Sequence, residues 1–130
     1  MFAASFFHLM LAGYTLTVVV ETTVLLVGLS RRHPVRARLF AGVWLTACTY
    51  PVVWLVLPPL LPDRAAYLVV AETFAPAAEC LLFWLAFVRP LPPDRRATTR
   101  DMLAVVLANL SSFGAGELVY LFVDPAALAG

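Results

Sequence analysis

Four apolar stretches divide this chain, at about residues 2–29, 39–61, 65–88 and 102–123. Each is long enough to cross a hydrocarbon core of about 30 Å as a helix rising 1.5 Å per residue. Together they leave almost nothing for an extramembrane domain. With 62% hydrophobic residues, 13% charged residues and a mean hydropathy of +0.90, the chain lies outside the range of soluble domains. The expectation is an all-α polytopic membrane protein, with a single domain over residues 1–130 folded as a compact bundle of four transmembrane helices. The first stretch lacks the basic start and short apolar region of a cleavable secretory signal, so it reads as a retained helix. Cys48 and Cys80 lie within apolar stretches and form no close-spaced thiol motif; they read as small buried hydrophobes.

The polar residues between the stretches set an orientation. The first connection carries Arg31, Arg32, Arg36 and Arg38 with no acid, and the third carries Arg89, Arg95, Arg96 and Arg100 against Asp94 and Asp101. The second offers only Asp63 and Arg64. By the positive-inside rule, loops one and three are cytoplasmic and both termini lie outside, as expected in a bacterial-type inner membrane. Asp124, just past the last stretch, agrees with that assignment. An excess of eight arginines against one specifies one orientation and argues against a dimer of opposed copies. Beside a bilayer these arginines read as topology determinants and contacts to anionic lipid, with no role in nucleic-acid binding. His33, among them, reads as solvated surface.

Pro51 and Pro76 fall near the middle of their stretches. Each removes an amide donor and clashes one turn back, which predicts kinks there. The prolines of Leu57–Asp63 stop the second helix and force a tight turn, those of Arg89–Asp94 do the same for the third, and Thr98 or Thr99 is placed to cap the fourth. Short connections make neighbouring helices antiparallel.

Against this background the glutamates stand out. All four, Glu21, Glu72, Glu79 and Glu117, lie inside apolar stretches, whereas all nine arginines lie between the stretches or at their edges. A carboxylate in hydrocarbon costs several kcal/mol, as a rough figure, unless it is paired, hydrated or protonated. Helical spacing puts Glu72, Pro76, Glu79 and Phe83 on one stripe, and Asn109, Phe113 and Glu117 on another beside Ser112 and Gly116. Tyr14, Thr17 and Glu21 share a stripe of the first helix, and Thr46, Tyr50 and Trp54 one of the second. Every helix therefore has a polar stripe that can face the bundle interior.

Counting along the helices, Glu21 falls roughly 8 Å to the cytoplasmic side of the midplane, Glu79 and Asn109 roughly 3 to 5 Å to the same side, and Glu72 and Glu117 roughly 7 Å to the external side. The expectation is an inner group of Glu21, Glu79 and Asn109, and an outer pair of Glu72 and Glu117. No fixed cation is expected inside to neutralise them, so at least one acid per level should be protonated or matched by a bound cation. Glu21 has a second option, which is to snorkel to the headgroup zone and pair with Arg31 or Arg100.

These patterns point first to a small transporter or channel-like protein moving protons or a cation. Its site would comprise Glu79, Glu72, Glu117, Glu21, Asn109, Tyr50 and Ser112, within a homo-oligomer or beside a membrane partner protein. No cofactor is implied beyond a bound cation; if that cation is a metal, Glu72, Glu117, Glu79 and His8 are the candidate ligands. Trp54 and Trp84 are candidate aromatic walls for an organic cation. The pairing of small residues at Ser112 and Gly116 suggests close helix packing or room for a substrate. In helix count and length the chain resembles the four-helix small multidrug transporters. Those place their key glutamate in the first helix, whereas here four acids spread over three helices. An accessory subunit whose glutamates pair with a partner's cations is the second reading. An intramembrane enzyme, possible through metal assistance, is the third, although Ser111 and Ser112 lack an evident base.

Overall fold

The computed structural model describes residues 2–123 and contains four long apolar helices, each long enough to cross a membrane. They are α1 (Phe2–Gly28), α2 (Val35–Leu60), α3 (Arg64–Val88) and α4 (Arg95–Val123). Asp124 lies outside the described residues. α1 packs on α2 and α4, and α3 packs on the same two, so the helices form a closed ring around an interior.

The helices begin earlier than the apolar stretches do. α2 starts at Val35 and α4 at Arg95, because arginine is a good helix former and hydropathy marks only the part of a helix that lipid can cover. The expected threonine cap of α4 is replaced by Asp94, whose carboxylate accepts from the Ala97 amide at 3.1 Å. Asp63 does the same for α3, accepting from the Ala66 amide at 2.8 Å. An aspartate accepts more strongly than a hydroxyl and its charge suits a helix N-terminus. At the other end of α1, the carbonyls that a helix leaves over are taken by arginines. Arg38 donates to the Leu26 carbonyl and Arg100 to that of Gly28, and Arg38 also holds the Ser30 and His33 carbonyls of the following loop.

Both α2 and α3 contain a wider π-helical turn, at Val52–Val56 directly after Pro51 and at Trp84–Val88. Such turns accommodate a break in the usual ladder. The Val53 carbonyl in the first of them accepts from the Tyr67 hydroxyl at 3.0 Å, which ties α3 to α2.

The core lies toward the arginine-rich end. Leu25 and Leu29 of α1, Ala41 and Leu45 of α2, Phe83 and Val88 of α3, and Ala104, Val105 and Ala108 of α4 are buried there in one cluster. Gly42 brings α1 and α2 together beside it: a Cβ at this position would meet the Thr22 hydroxyl and lie 2.9 Å from the Thr22 Cα. Gly42→Ala should therefore push the two helices apart and cost about 1–3 kcal/mol, measurable as a lowered midpoint in denaturant unfolding of the purified chain. Unchanged stability would mean that this approach is not tight.

A further polar cluster seals the same end. Asp101, whose side chain is wholly buried, accepts from the Ser30 amide at 2.7 Å and from Arg32 Nη2 at 2.9 Å, and lies 2.8 Å from His33 Nε2. His33 is buried against the Phe83 ring. The solvated surface expected for His33 is thus corrected: the first loop folds under the bundle because a buried carboxylate on α4 needs its donors.

Candidate functional site

Below the core the helices part, and a cavity of about 1120 Å³ extends to the end of the bundle that carries the α2–α3 turn. All four glutamates line it. Its floor is built from Glu21 of α1, Thr46 and Thr49 of α2, Glu79 of α3, and Asn109 and Ser112 of α4. All six are buried. Helical periodicity explains the convergence, since each residue lies on the inward stripe of its helix.

The floor has one hydrogen-bonded arrangement. Thr46 Oγ1 lies 2.9 Å from Glu21 Oε2, and Ser112 Oγ lies 2.7 Å from Glu21 Oε1. Thr49 Oγ1 lies 2.6 Å from Glu79 Oε1, and Asn109 Nδ2 donates to Glu79 Oε2 at 2.7 Å. These bonds correct the alternative in which Glu21 reaches the headgroup zone: its carboxylate is held in the bundle interior by α2 and α4, and Arg100 is spent on the Gly28 carbonyl.

Counting donors shows what this arrangement can do. Each of the three hydroxyls also faces a carbonyl of its own helix: Thr46 that of Gly42 at 2.9 Å, Thr49 that of Leu45 at 3.2 Å, and Ser112 that of Asn109 at 3.0 Å. A hydroxyl has one proton and cannot donate to both acceptors at once. With an ionised acid, the hydroxyl proton points to the carboxylate. With a protonated acid, the acid donates to the hydroxyl, which turns to the carbonyl. Hydroxyl rotation alone therefore accommodates either protonation state of Glu21 and Glu79, with no heavy atom moving. Asn109 has two amide protons and serves both Glu79 and the Val105 carbonyl.

The walls are apolar and aromatic. Tyr50 stacks on Trp54 at 5.5 Å between ring centroids and donates to the Met10 carbonyl at 3.0 Å, next to Gly13, whose missing side chain makes room for its hydroxyl. Glu72 is half-buried in the wall of α3. Gly116 lines the cavity and has open space where a side chain would be, so this part of α4 leaves room and does not pack. At the mouth Arg64 reaches Glu117 at 3.2 Å and lies 4.8 Å from the centre of the Tyr120 ring. Arg64, the first residue of α3, has a side chain long enough to fold over the opening and pair with Glu117 at the exposed rim, while no arginine pairs with Glu21, Glu72 or Glu79 among the described residues.

Of the other candidates, His8 is exposed and does not line the cavity. No three histidine, cysteine, aspartate or glutamate side chains converge on a metal position among the described residues. Trp84 is exposed on the outer surface of α3, and Cys48 on that of α2, while Cys80 is partly buried with its thiol 3.8 Å from the Met102 carbonyl. Thr49 escaped the sequence reading, although it lies three residues after Thr46 and so shares its face of α2. Comparison with protein-family models, curated proteins and solved structures finds no match to this chain.

Proposed function

We propose that this chain is a small membrane transporter or channel-like protein in which protons exchange with a cation at the glutamate-lined cavity. The observation that carries the reading is the floor, where two buried carboxylates from α1 and α3 meet hydroxyls that can each turn between an acid and a carbonyl. A structural seam would require the acids to stay in one protonation state. Here the partners are compatible with both. In the proposed cycle a cation enters past Arg64, meets Glu72 in the wall, and displaces protons from both Glu79 and Glu21, which leave to water through the cavity mouth.

Neighbouring helices run antiparallel in this reading, supported by the bonds that join the end of α1 to the start of α4 at Ser30–Asp101 and Gly28–Arg100. The arginine-rich end faces the cytoplasm and the cavity opens outside, in agreement with the charge bias. Pro51 and Pro76 bend α2 and α3 around the cavity. The core closes the cytoplasmic end in this conformation, so passage requires either a second conformation or a partner copy, which favours a homo-oligomer.

The test is flux in proteoliposomes containing only the purified chain, with internal pH reported while inorganic and organic cations are added outside. Proton movement coupled to one class of cation supports the proposal; silence from folded, correctly oriented protein transfers the weight to an accessory subunit. Arg64→Gln should raise the flux by roughly two- to fivefold, the factor set by losing an exposed ion pair of up to about 1 kcal/mol. A lowered flux would show that Arg64 assists entry and does not obstruct it.

A further inference from the structure

A second concave surface lies outside the bundle, on the opposite end from the cavity mouth. It is a groove of about 530 Å³ between α1 and α4. Its upper part is formed by Arg95, Arg96, Thr99 and Arg100 on the first turns of α4. Its lower part is apolar, with Val24 of α1 facing Leu103 and Leu107 of α4. Helical spacing explains the sequence of chemistry along it, since residues 96, 100, 103 and 107 recur every three or four positions and form one stripe, with residue 99 beside it.

We propose that this groove binds one anionic phospholipid, with its phosphate among the guanidinium groups and an acyl chain along the seam of α1 and α4. Charge is the first argument. The acids close in sequence are both engaged elsewhere: Asp101 is turned inward onto Ser30, Arg32 and His33, and Asp94 caps α4. Arg95 and Arg96 have no ion pair among the described residues. Three positive charges thus converge without a carboxylate, and a phosphodiester offers the oxygens that arginine binds in pairs.

Positioning is the second argument. Arg100 Nε donates to the Gly28 carbonyl at 2.9 Å, which fixes its guanidinium across the seam between the helices. Directly beneath, Leu103 and Leu107 are 58% and 55% exposed and continue the groove toward the bilayer centre. A soluble anion would use only the upper half. A phospholipid uses both, and its depth order of phosphate above acyl chain matches the order of residues along α4.

The experiment is native mass spectrometry of the full chain in a neutral detergent, titrated with phosphatidylglycerol and with phosphatidylcholine of the same acyl chains. Wild-type protein should retain one phosphatidylglycerol at least about tenfold more tightly than phosphatidylcholine, because arginines near a surface attract anionic lipid. The R95Q/R96Q/R100Q variant should lose that preference, and R31Q/R36Q, altered on the same end but outside the groove, should keep it. If the triple variant fails to fold, R95Q/R96Q, which leaves the Arg100 bond intact, is read in the same way. Leu107→Trp, which fills the apolar half, should also weaken retention. Equal retention of the two lipids, or equal loss of preference in both arginine variants, would overturn the site. Full displacement of phosphatidylglycerol by millimolar inorganic phosphate would overturn the lipid as its occupant.

Discussion

Replacing Asp101 with alanine should destabilise the bundle by about 3–5 kcal/mol, the range for removing one partner from a buried charge cluster. The side chain is completely buried and gathers the Ser30 amide, the Arg32 guanidinium and the His33 ring. Without it, the buried His33 loses its acceptor, Arg32 keeps only the Thr98 hydroxyl, and the first loop loses its hold on α4. Denaturant unfolding of the purified chain measures the effect. Asp101→Asn should fall between wild type and alanine, because the amide oxygen still accepts one bond while the charge is gone. A cost below about 1 kcal/mol for alanine, comparable to a surface pair, would show that the loop is held by packing alone.

Glu79→Gln should reduce flux to the level of protein-free vesicles while leaving the fold intact. Glutamine mimics the protonated acid: its oxygen accepts from Asn109 Nδ2, and its amide donates to the Thr49 hydroxyl, which turns to the Leu45 carbonyl. It cannot release a proton, so the exchange step stops. Glu79→Leu adds a second loss, because one Asn109 amide proton is then buried without an acceptor, at about 1–3 kcal/mol, while Thr49 turns to the Leu45 carbonyl. The difference between the two variants separates chemistry from folding. Glu21→Gln should behave like Glu79→Gln, since Glu21 belongs to the same floor, and combining the two should add little further loss. Normal flux in Glu79→Gln would eliminate the path through this floor.

The sequence made some of this plain and concealed the rest, for identifiable reasons. The four helices follow from hydropathy and length, and the meeting of Glu79 with Asn109 follows from stripes that a period of 3.6 residues puts on inward faces. Glu21 was also on such a stripe, but its proximity to the arginines left two options open, and only the positions of Thr46 and Ser112 decide between them. Helix starts were misplaced by the arginines of α2 and α4, which favour helix while opposing burial in lipid. The Asp101 cluster and the Arg64 pair join residues at least 53 positions apart. No local pattern encodes such contacts. His33 in particular has the sequence surroundings of a surface loop, and its burial depends on a carboxylate contributed by another helix.

If Glu21 and Glu79 gain and lose protons within the folded bundle, acid-minus-base infrared difference spectroscopy of the purified chain will read it. A protonated-carboxyl band should titrate in the wild type and lose amplitude in Glu21→Gln and again in Glu79→Gln. A wild-type spectrum that superimposes on that of the folded double variant would contradict it.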